Sequence, residues 1–381
     1  GMSLLDQYVS GQDPKQLEAA YKVFRNIRIE KPTFDKAYLY EGIALDLLEQ
    51  HDEAIMRFKY LEENASEQEL VEKAKYNEAV SLFRSYKPEA FLDSIEILEK
   101  LIDLPANWYR QGAALEAGLT ALAQDSMKAL AFATQANVIA HKPIFWKYYH
   151  DVPKGVDDEA FLAAKKAARR EIAQWIKEVY LISRRLEEVL KRATGKKWDD
   201  AAKQELKWAI ENARGNVYLN CAYNYLIPPY ADEARDPGRR TRYLKRAFQY
   251  FQECEMILPP GVETLTNLAT ALLGLCRDDP NYSYDKVRAY LYLAKEANPH
   301  YEYADYRLAE SWEQQGRIDE VVKILRAFAK ERTPTISSFR NLYSKYSLEL
   351  AKFPVEPVET PSESDTESTK SDDHSSEQPS S

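Results

Sequence analysis

Five histidines occur in the chain, His51, His141, His150, His300 and His374. None forms an HxxxH pair and none stands beside paired cysteines, the spacings that gather ligands round a metal. The expectation is no metal and no cofactor. Cys221, Cys254 and Cys276 lack CxxC spacing and fall at packing positions of helical patterns, so they read as small buried hydrophobes rather than nucleophiles. No GxxxxGK[ST], GxGxxG or GxSxG run is present to cradle a phosphate or present a serine. Carboxylate pairs are plentiful, but with 61 acidic residues most read as solvated helix faces. The sequence predicts a protein that is not an enzyme.

Binding chemistry is better represented. Residues 160–250 hold twenty Lys and Arg against eleven acids, a net of +9. The clusters include Lys165, Lys166, Arg169 and Arg170, then Arg239, Arg240 and Arg242. Trp175, Tyr180, Trp198, Trp208, Tyr218 and Tyr243 are interleaved with the cations. Cations alternating with aromatics can bind a nucleic-acid backbone or an anionic surface. The competing reading is a solvated basic face with the aromatics in the core. Trp175 supports it, because it sits within an apolar seam.

These residues must be positioned by helices. The chain has 381 residues, 45% hydrophobic and 30% charged, with only 12 glycines. So little glycine disfavours sheet-rich folds with many tight turns. No apolar run reaches the length of a membrane span. The first 20 residues lack the basic start and apolar stretch of a secretory signal. With an odd number of cysteines, this points to reduced thiols in a cytoplasmic protein.

Apolar residues recur at helical spacing almost throughout, and the pattern repeats. A small, a bulky and an apolar residue followed by Pro appear as Ala20-Phe24-Ile27-Pro32, Ala247-Phe251-Cys254-Pro259 and Val287-Leu291-Ala294-Pro299. A small residue twelve positions earlier accompanies the pattern elsewhere. Gly42 precedes Ala54, Phe58 and Leu61; Ala117 precedes Ala129, Ala133 and Ala136; Ala309 precedes Val321, Leu325 and Phe328. Ala20 to Ala54 and Val287 to Val321 are both 34 residues. The arrangement resembles the tetratricopeptide repeat family, whose unit is a helix-turn-helix of that period. The resemblance covers residues 15–141 and 212–352, with loop insertions that break the strict spacing. It implies an all-α repeat solenoid, a TPR-like superhelix.

In such superhelices the side chain two positions before the first small residue points into the concave groove. Here that residue is Tyr40, Asn77, Asn220, Asn267 or Arg307. Asn offers both a donor and an acceptor to any peptide backbone, and Arg offers a fork for a carboxylate. Peptide-binding members of the family use Asn at this place, so the resemblance implies an extended peptide or protein partner. A related subgroup clamps the C-terminal carboxylate of chaperones. Asn267 and Arg307 match its last two units in part, but Tyr303 stands where that clamp has Lys and the first unit lacks both residues.

Four segments are expected. Residues 1–141 form an N-terminal array and 212–353 a C-terminal array with a capping helix from Ile336 to Phe353. Between them, 142–211 hold an irregular break at 145–155 and a long basic hairpin. Its first helix runs from Asp157 or Asp158 to about Ala193. Ala168, Ile172, Trp175, Val179, Ile182, Leu186, Val189 and Ala193 alternate by four and three, a heptad seam. The seam can close against the second helix, which starts near Trp198, or against another copy in a homo-oligomer. Residues 354–381 carry eight acids and one Lys with no aromatic, Leu or Ile, the composition of a disordered tail. That tail can screen the basic segment, and phosphorylation of Ser362 or Ser364 would strengthen the screen.

Overall fold

The computed structural model of the chain describes residues 1–11, 14–85, 87–102, 115–141, 158–224 and 237–351. The expected break at 145–155 and the acidic tail lie outside them. Seventeen helices and no strand occur among the described residues. The first eight are α1 (Met2–Gly11), α2 (Pro14–Glu30), α3 (Asp35–Leu47), α4 (His51–Asn64), α5 (Gln68–Arg84), α6 (Pro88–Ile102), α7 (Leu115–Gln124) and α8 (Ser126–Ala140). The long helices α9 (Asp158–Arg192) and α10 (Asp200–Asn224) follow. The chain continues with α11 (Pro237–Ile257), α12 (Val262–Asp278), α13 (Tyr284–Ala297), α14 (Glu302–Glu313), α15 (Ile318–Glu331), α16 (Ser337–Lys345) and α17 (Ser347–Ala351).

Local chemistry sets the helix ends. Pro14, Pro88 and Pro237 open α2, α6 and α11, where an amide N–H would have no intrahelical partner anyway. Asp125 caps α8 by accepting from the Met127 and Lys128 amides. Gly195 lies just past α9 with φ of 101°, a left-handed conformation suited to glycine. The single expected capping helix is two, because the chain turns at Tyr346. That side chain is buried, and its hydroxyl donates to Glu313 at 2.8 Å.

Sequential helices pack as pairs, and Gly42 and Ala309 do what their spacing predicts, but Ala117 is exposed and the buried small residue of α7 is its neighbour Gly118. A Cβ on Gly42 would meet the Phe58 ring at 2.6 Å, so only glycine lets α4 lie this close to α3. Ala54, Phe58 and Leu61 are fully buried. Ala309, Val321, Leu325 and Phe328 share one core cluster. In the unit built on α11, Phe251 rests against Gly215, where a Cβ would come within 2.5 Å of the ring. Gly215 lies two helical turns before Ala222, the small residue read from the sequence.

The long hairpin is incorporated into the stack. α10 packs against both α8 and α11, as if α9 were absent, while α9 lies over α7, α8 and α10. One core cluster therefore runs from Ala79 to Cys221. The expected segment boundary at 211/212 falls inside α10, which serves the hairpin and the second array together. Ile172, Trp175, Val179, Ile182, Leu186 and Val189 are all buried within the single chain. From Ile172 to Val189 the seam is thus closed within the chain.

A further closure has no local signature. Asn298 donates to the Leu47 carbonyl at 2.8 Å, across 251 residues of sequence. The Glu302 amide donates to Glu49 at 3.3 Å, and Arg84 bridges to Glu263 at 2.8 Å. The solenoid curls until the ends of α3 and α5 meet the beginnings of α12 and α14.

Between α4 and α5, Glu78 is buried beside Glu62, with Lys59 3.7 Å away. Burial, reinforced by Glu62, raises its carboxyl from the usual range to about 8. The folded-state value exceeds the unfolded one, so the contribution to stability is complete below the ordinary carboxylate range and disappears as pH rises through 8. The unfolding free energy should fall between about pH 6 and pH 9, by on the order of 2 kcal/mol after allowance for nearby solvent. Glu78→Gln should flatten that slope in urea titrations at the two pH values. An unchanged slope would mean that the pair does not control it.

Candidate functional site

The five groove positions sit on α3, α5, α10, α12 and α14, as the helix-turn-helix reading requires. Their surroundings differ. Tyr40 is half-buried and stacks on Phe24 with ring centroids 5.3 Å apart. Asn77 is half-buried and donates to the Lys73 carbonyl of its own helix at 2.8 Å. Asn220 donates to the Ala140 carbonyl at 3.0 Å, tying α10 to the end of α8.

Asn267 belongs to a run of amides that crosses three helices. Its Nδ2 donates to Asn216 Oδ1 at 3.2 Å, and Asn216 Nδ2 donates to Asn137 Oδ1 at 2.7 Å. Asn216 is buried, whereas Asn137 and Asn267 at the two ends are half-buried. Asn216 spends both of its groups inside the run, while Asn137 and Asn267 spend one each, which keeps the terminal amides oriented. Sequence reasoning missed Asn137 and Asn216, because neither precedes a small residue at the spacing used.

Arg307 needs a correction. It is not an open fork for a carboxylate. It is buried, donates to Glu310 at 2.5 Å and to the Tyr303 hydroxyl, and lies over the rings of Tyr223, Tyr303 and Tyr306 at 4.8–5.1 Å. Tyr303, the departure from the chaperone-clamp pattern, is one of the groups that fill the fork. Cation–π contacts and hydrogen bonds from both terminal nitrogens engage the guanidinium within the chain.

The basic segment is also altered by the fold. Arg240 is not a surface cation: it is buried, with its guanidinium beside Gly274, and donates to Asp278. Arg192 pairs with Glu116 at 2.7 Å, Arg214 with Glu187 at 2.5 Å, and Lys197 with Asp125 at 3.5 Å. Arg170 and Arg242 are exposed and Arg239 is half-buried; Lys165, Lys166 and Arg169 lie on the first part of α9, where only the backbone is described. Trp175 and Trp198 are core residues, and Trp208, Tyr218 and Tyr243 pack against the same core. Counting charges could not reveal which cations are neutralised by acids distant in sequence.

The remaining reactive residues are quiet. Cys221, Cys254 and Cys276 are buried free thiols, and burial raises all three, Cys276 to about 11. Burial also lowers His141, which sits on the Asn137 carbonyl. Among the described residues no group of His, Cys, Asp and Glu could hold a metal ion, and no helix is long and apolar enough to cross a membrane.

The chain is an all-α helix-turn-helix repeat solenoid with a long helical hairpin between two arrays. No protein-family profile matches it, and no curated protein does. Among solved structures, the crystal structure of the yeast Tom70 aligns over 91% of this chain and 87% of that one, with 12% sequence identity and a TM-score of 0.24. A superposition that loose carries no argument about function.

Proposed function

We propose that the chain is a tetratricopeptide-like, non-catalytic scaffold that takes an extended peptide or a segment of a partner protein along its concave face. The observation carrying this reading is the amide run Asn137–Asn216–Asn267, flanked by Asn220 on α10. Buried Asn216 orients the two end amides, Asn137 on α8 and Asn267 on α12, whose second groups can meet a peptide backbone independently of its side chains. Asn77 and Tyr40 extend the same face into the first array. The basic segment supports no second reading, because several of its cations are paired and its aromatics are packed.

Panning a displayed library of unstructured peptides on the intact protein tests the proposal. Selected peptides should lose roughly 1–3 kcal/mol for each amide removed in the series Asn77→Ala, Asn220→Ala, Asn267→Ala. The thermal midpoint of each variant reports the separate cost of the lost intramolecular bond. Selected peptides that bind the folded triple variant as tightly as the wild type would overturn the groove assignment.

A further inference from the structure

A cavity of about 280 Å³ lies where the two arrays meet. It is smaller than the roughly 300–1,000 Å³ of a drug-sized pocket, with room for one side chain or a small amine. Its walls come from distant parts of the chain: the turn after α3, the end of α5, α10 and the start of α12. The site therefore exists only in the closed solenoid.

The charges lining it are unequal. Asp46, Glu49 and Glu263 supply three carboxylates against the single guanidinium of Arg84. Arg84 is already engaged, at 2.5 Å from Asp46 and 2.8 Å from Glu263. His51 faces the same carboxylate, with Nδ1 2.9 Å from Asp46. The Leu47 carbonyl end of α3 also borders the space, and helix C-termini carry partial negative charge. The opposing dipole at the start of α12 is met by Glu263 in that helix's first turn.

Glu49 is the unusual member. Its backbone is left-handed, with φ of 62°, an uncommon conformation for a residue other than glycine. Its carboxylate accepts the Glu302 amide at 3.3 Å. Burial raises its carboxyl to about 7. Tyr8, Trp208 and Tyr301 form aromatic walls, the surfaces on which a cation gains from ring quadrupoles.

We propose that this cavity binds a small organic cation, an alkylammonium or guanidinium group, with the charge at Glu49 and the alkyl stem against the aromatic walls. The group arrives as a free amine or as a Lys or Arg side chain of a peptide. The inference stands apart from the groove assignment, since a free amine can enter without any peptide.

Agmatine, butylamine and a butyrate control, titrated calorimetrically into the intact protein, test it. Both amines should bind and raise the thermal midpoint, and butyrate should do neither. Glu49→Gln keeps an acceptor for the Glu302 amide but removes the charge, and should weaken agmatine by about tenfold or more. Trp208→Leu removes a wall and no charge, and should weaken it several-fold. It serves as the second variant if Glu49→Gln does not fold. A Lys-containing peptide that outcompetes agmatine, when its Ala-substituted form does not, assigns the cation to a side chain; amines binding without such a peptide assign it to a free amine. No heat and no thermal shift with either amine, or equal effects of amine and butyrate, would overturn the proposal.

Discussion

Arg84→Met is expected to destabilise the protein by about 2–3 kcal/mol, below the usual cost of breaking a fully buried ion pair, because Asp46 is buried while Arg84 is half-buried. The guanidinium joins α5 to two partners at once, Asp46 on α3 and Glu263 on α12. Asp46 is buried, and burial alone would raise its carboxyl. Arg84, His51 and Ser81 outweigh that effect and hold it at about 2. This depressed value contributes stability above the ordinary carboxylate range that is lost as pH falls through about 2. In the variant, Asp46 keeps only His51 and Ser81, so the acid-side dependence should weaken. Urea denaturation near neutrality and at acid pH measures both effects. Arg84→Lys should be intermediate, because an ammonium cannot span two carboxylates as a planar fork does. A loss below about 1 kcal/mol would class the bridge with surface ion pairs.

Trp175→Ala is expected to cost about 3–5 kcal/mol. The indole is 3% exposed in the seam of α9, and its Nε1 donates to the Ile139 carbonyl at 2.7 Å. Truncation leaves a cavity beneath α9 and removes the direct bond between α9 and α8. Because the seam closes inside one chain, the transition midpoint should not depend on protein concentration. Midpoints that rise with concentration in the wild type but not in Trp175→Ala would show a seam shared between copies.

The legible parts of this fold are those encoded by neighbours in sequence. Gly42, Ala54 and Phe58 announce a close helix pair because the contacts they make lie within one repeat. The heptad seam from Ile172 to Val189 was equally readable, since its period specifies a stripe. Gly215 was hidden by the long insertion before α11, which broke the spacing and made Ala222 the nearer candidate. Of the candidate site, the helices carrying Tyr40, Asn77, Asn220, Asn267 and Arg307 were readable, but their partners were not. Arg307 is filled by Tyr223, more than two helices away, and Arg240 by Asp278; neither pairing leaves a periodic trace. The junction of Leu47 with Asn298 depends on the accumulated curvature of many helix pairs, which no local pattern records.

That junction changes how the protein should come apart. An open solenoid behaves as a one-dimensional chain of nearest neighbours, and its end repeats fray independently. Here the turn after α3 is hydrogen-bonded to the segment before α14, so opening either region breaks contacts of both. Amide hydrogens of α3 and α14 should then exchange through one shared opening, with similar protection, rather than in order of distance from the chain ends. Forming the contact requires a loop of about 250 residues to close, at a chain-entropy cost that grows only logarithmically with length. Refolding should accordingly separate into fast assembly of adjacent repeats and a slower ring closure that locks the two arrays.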